Sequence, residues 1–212
     1  MSRNLYIIGA GGFGRELEGY LDLIPKNERD WELKGYLDSV LPLGNLPYPS
    51  DYKVIDNEKN FNYSVNDLVL ISIADPNARE NIFNSLKNRV TFFTYISPKS
   101  YIGKFCKIGE GSIISPNVHI ATNTQIGESV IINVGSQIGH DSKIGNFSSI
   151  MSNVNIGGGC SIGEKSYLGT SSVVIPRKKI GDKVTIGAGS VVIRNIIKEG
   201  VTVFGNPATL LV

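Results

Sequence analysis

Cysteine is nearly absent from this chain, with two in 212 residues. Small secreted domains that lean on disulfides use many more, so this chain is held by a packed core. Histidine is equally scarce: only His119 and His140 are available for imidazole chemistry. No apolar run approaches the roughly 18 residues of a membrane span. Neither sign of charge dominates, since 21 Lys and Arg stand against 19 Asp and Glu for a net charge of +2. The longest basic run is Arg177-Lys178-Lys179, which excludes a dedicated nucleic-acid binder. Met1 to Gly9 holds too short an apolar stretch for a signal peptide. The expectation is a cytoplasmic protein with neither membrane nor nucleic-acid partners. With 41% hydrophobic residues, the chain has material for one or two cored domains.

What is present is a period. From Ile96 to Val192 an aliphatic residue falls on every sixth position, 17 times in 17. Helices return their apolar face at 3 and 4, and isolated strands at 2, so a sustained six marks a repeat array. Glycine follows the aliphatic residue at ten of the sixteen positions from Ile102 on, as in Ile144-Gly145 and Ile162-Gly163. Four residues after it stands something small, such as Ser112, Thr124, Ser136, Ser148 or Ser166, with Lys178 the misfit. Glycine frees backbone angles and small side chains fit sharp bends, so each hexapeptide describes one short side of a coil. The pattern resembles the hexapeptide repeat of left-handed parallel β-helix proteins, which implies three sides and eighteen residues per coil, here about five coils. The left hand comes from that resemblance and runs against the usual crossover rule.

The cysteines fit this frame. Cys106 and Cys160 share one column and are 54 residues apart, three coils of eighteen. Coils stacked ~4.8 Å apart separate them by roughly 14 Å, too far for a disulfide. They read as reduced corner fillers. Lys178 and its basic neighbours read as a bulged loop or a solvated turn, with coenzyme phosphate as another candidate partner.

The amino-terminal ninety residues follow a different rule. Asn4 to Ile8 predicts a buried strand, Gly9-Ala10-Gly11-Gly12-Phe13-Gly14 a glycine turn, and Arg15 to about Ile24 a helix. Strand, G-x-G-x-x-G and helix together form the context of a dinucleotide fingerprint. Helix N-termini favour phosphate. Pro25 to Asp30 reads as a polar turn, and Leu33 to Leu37 as a second strand ending in Asp38, placed to meet a ribose or base. Tyr52 to Ile55 is a short strand, Leu68 to Ile73 a third long one, and Pro76 opens a helix to about Asn88. The fold class is an α/β half-Rossmann domain, residues 1–92, followed by a β-helix domain with a tail, residues 93–212. A nicotinamide dehydrogenase also uses the glycine motif, but here hexapeptides replace its second half. A third reading takes the glycines for a tight turn only. A pocket for a nucleotide-linked ligand accounts for Asp38 and the Ala74-Asp75 turn as well.

His140 stands in Gly139-His140-Asp141, two residues after an inward isoleucine, where alternation predicts a partly sheltered position. A neighbouring carboxylate raises imidazole basicity and fixes its tautomer. One coil on lies Gly158 within Gly157-Gly158-Gly159, which leaves space and a bare N–H beside His140 for an oxyanion. The bland alternative is a surface histidine beside a surface aspartate. His119 has no adjacent acid and reads as structural.

The glycine-loop domain, His140-Asp141 amid hexapeptides and the closing Gly205-Asn206-Pro207-Ala208 together resemble one family. These are the bacterial nucleotide-sugar N-acetyltransferases that make acetylated 4-amino sugars of bacillosamine and perosamine type, with the related sialic acid O-acetyltransferases. The resemblance implies acetyl transfer from acetyl-CoA to a nucleotide-linked amino sugar for surface glycans such as O-antigen, with no metal. It implies nucleotide-sugar contacts at Gly11, Gly12, Phe13, Asp38, Ser39 and Ala74. It makes His140 the general base, assisted by Asp141. It places acetyl-CoA along an adjacent subunit of a homotrimer, near Ser149, Gly158, Thr170 and Ala188. The chain departs from many members at Phe13 and Ser149, where histidine is common. Sialic acid O-acetylation and a non-catalytic scaffold remain the alternatives.

Overall fold

The structure, a computed structural model, describes residues 2–211. Chain order runs β1 (Arg3–Ile8), α1 (Gly12–Leu21), β2 (Trp31–Leu37), β3 (Gly44–Asn45), β4 (Lys53–Asp56), β5 (Leu68–Ile71), α2 (Pro76–Leu86) and β6 (Thr91–Phe92). A short 3-10 turn, Lys26–Glu28, sits in the expected polar turn, and α1 ends three residues short of Ile24. The strands form one sheet in the order β3-β4-β2-β1-β5-β6. All its pairings are parallel except that of β3 with β4.

The central strand β1 is apolar on both sides because both faces of the sheet are covered. Leu5 and Ile7 pack with Leu17 and Leu21 of α1, and also with Tyr95, Ile113 and Ile131 of the repeat region. Tyr6 and Ile8 pack with Phe83 and Leu86 of α2, and with Phe92 and Phe147. In the glycine turn, Gly9 takes φ +97, and a Cβ on Gly14 would stand 2.1 Å from the Gly9 carbonyl oxygen. Helix and strand therefore meet at a separation that only glycine permits.

From Tyr95–Ile96 to Val191–Val192 the hexapeptides form two-residue strands on three parallel faces, which carry six, six and five of them. That makes five full left-handed coils and two sides of a sixth. Each strand pairs in register with the one eighteen residues on, as Ile114 with Ile132 and Ile120 with Ile138. The period predicts one inward column, and Ile114 to Val192 fill it. The open first coil is the exception: Ile96 is 38% exposed, because no coil stacks beyond it. At the other end Thr202–Gly205 joins the first face and turns back antiparallel into Ala208–Leu210.

Two features of the corners differ from expectation. Positive φ falls not on the glycines after the aliphatic column but two residues later, at Asn117, Asn123, Asp141, Phe147 and their equivalents. The glycines serve a steric purpose instead: a Cβ on Gly139 would lie 2.3 Å from the Gly158 backbone nitrogen, and one on Gly145 would lie 2.5 Å from that of Glu164. Small hydroxyls fill the bends because they also bond to the next coil. Ser148 Oγ donates to Gly163 O at 2.8 Å and accepts from Ser166 N at 3.1 Å. The expected bulge at Arg177-Lys178-Lys179 does not occur, since Ser161 and Ile162 pair in register with Lys179 and Ile180. Lys178 is tolerated because this strand is the last on its face.

The first coil face packs against the α/β sheet, and Arg79 of α2 joins them. Its side chain is fully buried. Its nitrogens donate to Ser129 O at 2.8 Å, Ser148 O at 3.1 Å and Ser149 Oγ at 3.0 Å, and also to the carbonyls of Phe147, Ile73 and Ala74. Loss of water around the guanidinium pushes its pKa down to about 9, opposed by Asp75, so it stays charged at neutral pH.

Candidate functional site

The only two histidines line one groove. It runs along the outer side of the second coil face, with a volume of about 430 Å³. Gln137, Asn155 and Val173 form its floor, and Ile175 and Pro176 close one side. His119 lies at one end, stacked on Tyr101 with ring centroids 4.7 Å apart, so the residue read as structural borders the same groove as His140.

His140 sits at the corner where the second face turns into the third. Its Nδ1 lies 2.7 Å from Asp141 Oδ2. Asp141 reaches the ring because it occupies the left-handed corner position, φ 57, which short acidic side chains tolerate. Asn123, one coil earlier, donates to Asp141 Oδ1 at 3.1 Å. The hydrogen bonds from His140 and then Asn123 hold the Asp141 carboxyl below its ordinary pKa. An ionised Asp141 only accepts, so Nδ1 is the donor of this pair, and in the neutral imidazole Nε2 carries the lone pair.

That free nitrogen faces Gly158. A Cβ built on Gly158 would stand 2.6 Å from Nε2, so glycine clears the space under the ring. Elsewhere on the coils the side chain one coil on caps the equivalent corner N–H: Asn146 Oδ1 accepts from Glu128 N at 2.9 Å, and Asp182 Oδ1 from Glu164 N at 2.8 Å. Gly158 offers His140 no such cap, and Pro176 offers none to Gly158. The Gly158 N–H therefore has no hydrogen-bond partner among the described residues. The imidazole is more open than alternation predicts, with 65% of its side chain exposed, because a corner projects outward instead of alternating.

The other expected coenzyme contacts lie apart. Thr170 and Ala188 stack one coil apart on the corner between the first and second faces, exposed but not lining the groove. Ser149 is misplaced for that role. It points from the first face into the packing against the α/β sheet, fully buried, and donates to Ala74 O at 2.6 Å. Neither thiol lines the groove: Cys160 is buried and Cys106 half-buried, and both are free.

A second cavity, about 600 Å³, opens at the carboxyl ends of β1, β2 and β5. This is where an open α/β sheet receives ligands. Gly11, Asp38 and Ser39 line it, with Val40, Leu41, Glu58, Ile73, Asn81 and Ile82. The Asp38 carboxylate is largely engaged already, accepting from Ala10 N at 2.8 Å, Val40 N at 2.7 Å and Leu41 N at 2.9 Å. It shapes the glycine turn and leaves about one lone pair for a ligand. Gly12 is exposed beside the cavity at the start of α1. Phe13 turns away and packs against the core under the sheet. Ala74 lies outside the lining, its carbonyl held by Ser149 and Arg79. Glu58, Asn123 and Ser72, which donates to Ile8 O at 2.9 Å or Gly9 O at 2.7 Å, carry no local sequence signal. The partners of Asn123 and Ser72 lie 18 and 64 residues away, and only the fold brings Glu58 to the cavity.

Residues 4–86 match the PglD N-terminal domain family. No protein of curated function matches the chain by sequence. In structure, the chain resembles the acetyltransferase domain of PglB from Neisseria gonorrhoeae, with TM-score 0.87 and 26% identity over 99% of this chain and 100% of that one. The same domain is also known in complex with acetyl coenzyme A. WeeI from Acinetobacter baumannii gives TM-score 0.85 and 27% identity over 98% of this chain and 99% of that one. PerB from Caulobacter crescentus, in complex with CoA and GDP-perosamine, gives TM-score 0.83 over 98% and 97%, at 24% identity a likeness of fold. Fold and groove together define an acyltransferase of the left-handed β-helix class. Within that class, residues 4–86 carry a PglD-type N-terminal domain, and the whole chain is similar to the bacterial acetyltransferase domain of PglB and to WeeI.

Proposed function

We propose that this protein transfers the acetyl group of acetyl-CoA to the amine of a nucleotide-linked amino deoxysugar, for surface glycans such as O-antigen. The observation that carries the mechanism is the imidazole tethered by Asp141 at 2.7 Å with its Nε2 open above Gly158. In this reading the α/β unit, residues 1–92, holds the nucleotide at Gly11, Gly12, Asp38 and Ser39, and the coils, residues 93–212, carry the transfer. The groove suits a thin, extended arm, because Val173, Ile175 and Pro176 line it beside the backbone of Gly139 and Gly157.

Chemically, the sugar amine attacks the thioester carbonyl, a C–N bond forms and the C–S bond breaks. His140 Nε2 takes the ammonium proton and passes it to the departing thiolate, while Asp141 stabilises the imidazolium. The unpartnered Gly158 N–H is the donor offered to the oxyanion. Transfer is direct, without an acyl-enzyme, since both sulfurs are turned away: Cys160 Sγ contacts Ile175 O at 3.3 Å and Cys106 Sγ contacts Ala121 O at 3.1 Å. Thr170 and Ala188 meet the coenzyme only where it lies along a boundary between chains, which fits a homotrimer with shared sites. Acetyl-CoA supply fits a cytoplasmic enzyme. Among the described residues no helix is long and apolar enough to cross a membrane.

The test is thiol release with nucleotide-linked 4-amino sugars, with light scattering for the assembly. His140→Ala is expected to lower kcat by roughly 10²–10⁴ with nucleotide affinity unchanged, while Cys106→Ala and Cys160→Ala retain transfer. Full kcat in His140→Ala, or equal transfer to the corresponding hydroxy sugars, overturns the assignment. A monomer at micromolar concentration overturns the shared site.

A further inference from the structure

Glu58 follows β4 in a tight turn, where Asn57 Oδ1 accepts from Lys59 N at 2.8 Å and Tyr63 Oη donates to Glu58 O at 2.9 Å. These contacts secure its backbone but not its carboxylate. The residue is only 5% exposed, and Oε2 is buried with no hydrogen-bond partner. It forms no ion pair among the described residues, although Lys59 is its neighbour. Burying a carboxylate in this way is unfavourable unless donors meet it. Glu58 lines the cavity at the strand ends, where Val40 and Leu41 supply apolar surface from the loop after β2, and Ile73 and Ile82 supply it from the β5–α2 segment. A flat ring between these side chains presents an edge to Glu58.

From this geometry we infer that Glu58 reads the base of the nucleotide and selects guanine. The inference rests on the nucleotide-sugar reading of the cavity and sharpens it to guanosine-diphosphate-linked sugars. A carboxylate is an acceptor only, so it needs an edge with adjacent donors. Guanine presents N1–H and N2–H side by side and satisfies both oxygens in a charge-assisted pair. Uracil and thymine place their single N–H between two carbonyls, whose lone pairs oppose the carboxylate. Cytosine and adenine set an amino group beside a ring acceptor, so one oxygen stays unpaired.

The experiment is calorimetric titration of the full chain with GDP, IDP, UDP, dTDP and CDP, repeated on Glu58→Gln and Glu58→Ala. GDP is expected to bind tightest. IDP, which keeps N1–H and lacks the N2 amine, binds roughly tenfold more weakly. Glu58→Gln loses roughly tenfold to hundredfold toward GDP and stays within about threefold toward UDP. Without nucleotide, Glu58→Gln melts no lower than wild type, because it breaks no bond to the protein; a clear drop in melting temperature marks a structural role and sinks the inference. UDP, dTDP or CDP binding as tightly as GDP, or GDP affinity untouched by both substitutions, overturns guanine selection and leaves the nucleotide pocket standing. No binding by any nucleoside diphosphate overturns the pocket itself.

Discussion

Gly158→Ala separates the demands of the fold from those of the site. Gly158 does not lie in the left-handed region, so alanine brings no backbone strain. The Cβ conflicts with one neighbour, the imidazole: 2.6 Å from Nε2, 2.8 Å from Cε1 and 3.0 Å from Cδ2 of His140. Relaxed non-bonded contacts need about 3.5 Å or more, so the ring must move by roughly 1 Å. The ring is exposed and can swing outward, but the Nδ1 contact to Asp141 at 2.7 Å and the aim of Nε2 both suffer. A displacement of that size costs up to ~10²-fold, so kcat should fall roughly 10- to 100-fold, about 1.4–2.7 kcal/mol of barrier. Steady-state thiol release measures it. The melting temperature should hold or rise, since a compatible Gly→Ala change stabilises by about 0.4–1 kcal/mol. A kcat within twofold of wild type, with His140→Ala inactive, refutes the idea that the ring needs the space above Gly158.

Two further expectations concern groups outside the transfer step. Arg79→Met should destabilise the protein by about 3–5 kcal/mol in urea unfolding, because Ile73, Ser129 and Phe147 carbonyls accept from no other group among the described residues; a loss under about 1 kcal/mol refutes this. The Asp141 carboxyl, read by carbon NMR, should titrate below the ordinary aspartate value in wild type and move upward in His140→Ala, since the His140 hydrogen bond is the largest cause of its depression. The sign follows from the lowered folded pKa: the pairing stabilises the native state above the ordinary aspartate range and is lost as pH falls through the folded value. An unchanged midpoint in His140→Ala refutes the coupling.

Local sequence determined the coils almost completely. A strand of two residues and a sharp corner leave one inward position in six, so the aliphatic column from Ile102 to Val192 states the architecture with no long-range information. The motif Gly9, Gly11 and Gly14 likewise announces its turn, because the steric demand acts between residues five apart. The adjacency of His140 and Asp141, and the eighteen-residue step to Gly158, were legible for the same reason, since the period converts sequence distance into stacking. Tertiary structure decided whatever joins different rows or units. Ser149 has the same local surroundings as other outward positions, and only the α/β sheet laid over the first face buries it. Phe13 sits in the glycine motif, yet the core beneath α1 draws its ring away from the cavity. The glycines after the aliphatic column looked like conformational hinges, whereas the backbone of the next coil excludes their Cβ. Asp38 stands where the fingerprint puts an acid, but three backbone N–H groups claim it, and the fold sets a second acid, Glu58, in the cavity wall. Such outcomes depend on which surfaces meet when the sheet closes over the coils, and no local pattern encodes that contact.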